Sequence, residues 1–101
     1  MVLIALLLAA ASPFEAIQEA FIADCSLTMF EGPCRCAARG LAGSTPGRFW
    51  MEITATRGLP PEARNTALEA IRERYGISNQ DIAAFAESAR AAFDTAIADC
   101  R

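Results

Sequence analysis

Cys25, Cys34, Cys36 and Cys100 are the residues of this 101-residue chain whose type and spacing are best suited to chemistry. Three roles are open to them: structural bridging, thiol–disulfide exchange and metal binding. Cys34-Arg35-Cys36 has the makings of an exchange pair, because a thiol near a helix N-terminus and beside an arginine has a lowered pKa and reacts readily. Such a pair needs no further cysteines, yet Cys25 and Cys100 both fall on apolar helical stripes, so structural bridging outweighs redox work. A zinc site is the weakest reading, since intervening lengths of 8, 1 and 63 residues match no paired-knuckle arrangement.

Helix geometry narrows the pairing. Residues two apart on a helix project about 200° apart and do not face each other. Cys34 and Cys36 should therefore each pair outward, one with Cys25 and the other with Cys100, with both assignments open. In the chain-entropy description the short loop from Cys25 contributes about 2.7 kcal/mol and the long one to Cys100 about 4.3 kcal/mol. Against the 5–15 kcal/mol typical of a whole domain, two such bridges matter.

Other chemistry is poorly supplied. There is no histidine, which removes the commonest general base and the commonest metal ligand. Gly40, Gly43 and Gly47 form no phosphate cradle, because no Lys-Ser/Thr pair follows them, and they read as a flexible connection. The carboxylates read as solvated helix faces, with no pair set up as acid and base. No catalytic, cofactor-binding or metal-binding residue is assigned, and the chain is expected not to be an enzyme. Phe49-Trp50-Met51, beside the glycine-rich stretch, is a candidate interaction patch, although core packing suits it better in so small a domain.

The elements that must position these residues are helices. Phe14, Ile17, Phe21 and Cys25 recur at intervals of three and four, giving a helix over about 13–26 with Cys25 on its inner face. Glu31-Gly32-Pro33 makes a turn, with Pro33 as the first residue of a short second helix ending near Gly40 or Gly43. Residues 48–57 fit a helix but also alternate as a strand would; a lone strand would leave its backbone unpaired, so helix is preferred. Leu59-Pro60-Pro61 restarts the chain into a helix with Ala67, Leu68, Ile71 and Tyr75 inward and Gly76 as its stop. The last helix begins with Ser78 as cap and Asp81 three residues on, and aligns Ile82, Phe85, Ala89, Phe93, Ala96 and Cys100. Expected is an all-α fold: a small bundle of four to five short helices stapled by two disulfides.

Residues 2–11 form an uncharged apolar run, half the length of about 20 residues that a bilayer-spanning helix needs. Ala9 and Ala11 are the small residues signal peptidase accepts, so residues 1–11 read as a signal peptide cut before Ser12, and residues 12–101 as the mature helical domain. The run lacks the usual basic start, and the true start is expected further upstream. Export, to the periplasm or outside the cell, is in turn what makes four cysteines read as bridges. After cleavage no stable membrane anchor is expected. Nine arginines against 12 acids give a net charge of −3, and their interspersion offers no basic face for nucleic acid. The expected function is a non-enzymatic protein-interaction domain of the binding, inhibitor or chaperone-like kind with an unidentified protein partner. The alternative is thiol–disulfide exchange through Cys34 and Cys36.

Overall fold

Among the described residues five helices follow one another: α1 over Pro13–Cys25, α2 over Glu31–Leu41, α3 over Thr45–Ala55, α4 over Pro61–Tyr75 and α5 over Ile82–Asp99, with a 3-10 turn at Thr56–Gly58. They belong to a computed structural model that describes residues 13–100, so the expected signal peptide 1–11 and its cut lie outside the described residues. The fold is all-α, with no strand among the described residues.

Three helix starts differ from the sequence reading, each for a local reason. Helix α2 begins at Glu31 rather than Pro33. The first four amides of a helix have no helical acceptor, so proline at the third position loses nothing, and Cys34 is the first to donate back, to the Phe30 carbonyl at 3.3 Å. Helix α3 begins at Thr45, because the Ser44 hydroxyl accepts from the Gly47 amide at 3.0 Å and Pro46 occupies the first turn. Helix α5 begins at Ile82 rather than at Ser78. There the Ser78 hydroxyl and Asp81 are spent on a turn, with the Asp81 amide donating to the Ser78 carbonyl at 3.1 Å and the hydroxyl donating to Asp81 Oδ2 at 2.9 Å. Helix α4 stops at Gly76, whose φ of 65° favours glycine.

Helix α3 is the centre of the bundle and touches each of the other four helices. On one side Met51 joins Phe21, Ile22, Leu41, Ala96 and Ile97 around the Cys25–Cys34 bridge. On the other, Phe49 joins Ile71, Ile77 and Ala89. Trp50, half-buried, packs against both clusters and links them. Aromatic rings set the geometry of each side: Phe21 meets Phe93 edge-on at 6.2 Å, and Phe49 meets Phe85 edge-on at 4.8 Å. The stripe expected on α5 faces inward from Phe85 to Cys100, while Ile82 at its start is exposed.

The glycine-rich stretch is corrected from a flexible connection to a close contact. A Cβ at Gly47 would lie 2.2 Å from the Leu41 carbonyl oxygen and 2.8 Å from that residue's carbonyl carbon and Cα. Only glycine lets the first turn of α3 rest on the last turn of α2. Backbone cannot swing aside as a flexible side chain can, so Gly47→Ala is expected to destabilise the fold by about 1–3 kcal/mol. The check is a thermal melt, where such a loss lowers Tm by roughly 4–8 °C per kcal/mol in a domain of this size.

Candidate functional site

The four cysteines form two bridges, Cys25–Cys34 and Cys36–Cys100, with Cα–Cα distances of 5.9 and 5.8 Å, and none is free. Both distances sit inside the ordinary disulfide range. Each of Cys34 and Cys36 thus points away from the other, toward α1 and toward the end of α5. The sulfurs of the Cys34-Arg35-Cys36 motif are not joined to each other, which is the bond an exchange pair would need. Among the described residues no group of three or more His, Cys, Asp or Glu side chains could hold a metal ion. No helix among them is long and apolar enough to cross a membrane.

Of the patch Phe49-Trp50-Met51, the structure encloses Phe49 and Met51 and leaves Trp50 half-exposed. Trp50 stacks on Phe93 at 5.1 Å with 23° between the ring planes. These two rings, with Phe21, line a groove of about 420 Å³ that opens between α1, α3 and α5. Its rim is charged: Arg57 bonds Asp24 at 3.2 Å, and Arg90 stands on the α5 side.

One wall of the groove is the segment between the cysteines of the first bridge, where the sequence pattern predicts only a turn. Leu27 is 81 % exposed and Phe30 85 %. These side chains are held out by an ordered backbone. The amides of Ser26, Leu27, Thr28 and Met29 donate to the carbonyls of Ile22, Asp24, Cys25 and Cys25 at 2.9–3.2 Å, and the bridge closes the segment on itself. Met29 folds back until its sulfur is 4.0 Å from that of Cys25. The signal in the sequence is three large apolar residues off the α1 stripe, lying between two bridged cysteines.

A second cluster also escaped the sequence reading, and it corrects the expectation that the carboxylates are solvated. Glu52 is only 5 % exposed. Its Oε2 accepts a short hydrogen bond from the Tyr75 hydroxyl, and its Oε1 lies 2.6 Å from Nη2 of Arg74. Tyr75 also meets Phe49 edge-on at 5.3 Å. Together these contacts dock α4 on α3. Glu52 is buried because α3 is surrounded, and a buried carboxylate must be paired. Burial, then the hydrogen bond to Glu52 and that residue's charge, push the Tyr75 hydroxyl up to about 12, against the opposing pull of Arg48 and Arg74. A cavity of about 390 Å³ lies on the other side of Phe49, but Glu52, Arg74 and Tyr75 are not part of its lining, and their contacts hold the fold.

The chain matches no protein-family model, no curated protein and no solved structure. The loop with its groove is a feature that fold stability does not account for.

Two measurements check this account. Cys25 and Cys34 are buried whereas Cys36 and Cys100 are half-exposed, and exchange requires access to sulfur. A free-thiol count on native protein should give zero, and graded reductant with alkylation should open Cys36–Cys100 first. Two readily reducible thiols at Cys34 and Cys36 would restore the exchange reading. The second measurement follows tyrosinate absorbance, which reports Tyr75 alone because the chain has one tyrosine. The folded hydroxyl holds its proton up to about 12 where an unfolded one releases it near 10.0. In that window the folded state binds more protons, so this contribution to stability is whole below pH 10.0 and is lost as pH rises toward about 12. Tyr75→Phe should abolish that alkaline loss and, by leaving Glu52 with Arg74 alone, cost about 1–3 kcal/mol at neutral pH.

Proposed function

We propose that this is an exported, non-enzymatic interaction protein, periplasmic or secreted, that meets a protein partner through the loop at residues 26–30 and the groove beside it. The observation that carries this reading is the exposure of Leu27 and Phe30 on a segment whose amides from Ser26 to Met29 are hydrogen-bonded and whose ends are covalently closed. Apolar side chains left out by a floppy segment mean little. Held in place by a closed segment, with Leu27 lining an aromatic groove, they offer exposed apolar side chains of the sort that mark a contact site. Fixing them in advance also lowers the ordering entropy lost on binding. Two bridges suit an oxidising compartment, where they persist without a reducing system to open them. An inhibitor and a chaperone-like binder both fit this description, and both act through the same surface.

The test places a photoreactive residue at position 30 in the full chain, with exposed Glu87 substituted in the same way as control. A discrete adduct with a protein of the same oxidising compartment is expected at position 30 and not at 87. Leu27→Asp with Phe30→Asp, introduced beside a photoreactive group at Met29, should remove the adduct while leaving Tm within a few degrees, since exposed substitutions shift stability by about 0.5 kcal/mol or less. Absence of any adduct, together with a chain retained in the cytoplasm with reduced cysteines, defeats the reading.

A further inference from the structure

The groove floor and its rim differ in chemistry, and the difference specifies what the surface would take. At the bottom lie the stacked rings of Trp50 and Phe93, with Phe21 edge-on to Phe93, an aromatic surface suited to a large apolar side chain. The rim carries two arginines in unequal states. Arg57 is held by half-buried Asp24 at 3.2 Å. Among the described residues Arg90 pairs with Asp94, four residues on along the same exposed helix face, at 3.6 Å. A solvated pair of that length contributes little and is readily exchanged. The Arg90 guanidinium is thus available to a carboxylate from outside, in a fork geometry that fits one.

We propose that the groove binds a peptide segment of its partner in which a large apolar side chain is followed closely by an acidic residue, the apolar group lying on Trp50 and Phe93 and the carboxylate on Arg90. Three features favour a peptide over a small amphiphile. Exposed apolar side chains are not confined to the groove that Leu27 and Met29 line, because Phe30 in the same closed segment is exposed as well, outside the reach of a ligand seated in the groove alone. A cavity of about 420 Å³ open to solvent takes one or two side chains and leaves the rest of a segment to run across the loop. Aspartate and arginine on one rim give a strip of alternating charge, which reads sequence in a partner chain better than it holds a lone anion. This assignment rests on the interaction reading above and adds the chemistry of the partner.

Trp50 is the chain's sole tryptophan and lines the groove, so its emission reports occupancy directly. The probes are an acetylated twelve-residue peptide with Phe and Leu at helical spacing followed by aspartates, its counterpart with lysines in their place, and dodecanoate. Expected is a saturable emission change with the acidic peptide and an affinity about fivefold above that for the lysine peptide, from one exposed charge pair. Arg90→Gln should erase that preference and Arg90→Glu should invert it, with circular dichroism unchanged because the side chain is exposed. Equal affinity for both peptides, indifference to Arg90, or a response to dodecanoate alone overturns the proposal. If the peptides fail while the position-30 adduct still forms, the groove assignment is wrong and the interaction reading stands; if both fail, both fall.

Discussion

Everything in this fold depends on how α2 is held. It is an eleven-residue helix whose only large apolar side chain is Leu41; the rest of its inner surface is Ala37, Ala38 and sulfur. Small residues let helix backbones approach closely but bury little area, and apolar burial contributes only about 25 cal/mol per Å². A helix so short and so lightly furnished does not hold itself in place by packing. Its two cysteines do so instead. Because they project about 200° apart, one bridge can reach only α1 and the other only the end of α5, and α2 is fixed between them. With α2 fixed, Gly47 can lay the start of α3 on its last turn, and α3 then becomes the post around which α1, α4 and α5 are arranged.

That position explains why α3 is the least legible helix in the sequence. A helix with one buried face shows an apolar stripe at a period of 3.6 residues. Helix α3 is enclosed on several sides, so Gly47, Phe49, Met51, Glu52 and Thr54 are all buried, and its buried positions mix apolar with polar residues instead of forming one apolar stripe. Buried positions two apart then imitate the alternation of a strand. The same enclosure hides Glu52. A glutamate beside Met51 looks like an ordinary solvated residue until α4 delivers Tyr75 and Arg74 to it from 23 and 22 residues away. Distant pairing of that kind leaves no local pattern.

The cysteines, by contrast, were readable because their constraint is local. Apolar intervals of three and four put Cys25 and Cys100 inward, and the spacing of Cys34 and Cys36 set the outward pairing; only which partner went to which needed coordinates. Helix starts were less readable, since one Ser-x-x-Asp pattern serves equally for a capped helix and for a closed turn. At Ser78 the turn prevails because Ile77, just before it, is buried in the cluster with Phe49, and Arg72 bonds the Ile77 carbonyl at 3.3 Å. Chain direction is fixed there before the helix can begin.

The apolar loop belongs to the same economy as the bridges. Tucking Leu27 and Phe30 into the core would gain about 1.5–3 kcal/mol each, and the folded chain forgoes that gain. Closing the short loop with Cys25–Cys34 contributes an amount of the same order, about 2.7 kcal/mol. The loop therefore has no need of its own apolar residues to stay ordered, and they remain available to something else. Without the bridge, the most favourable way to order residues 26–33 would be to collapse their apolar side chains onto Trp50 and Phe93, filling the groove that Leu27 now lines. A cross-link that fixes both ends of the segment removes that option: it keeps the aromatic floor open and the apolar side chains out, which are the two conditions a binding surface needs and a core does not.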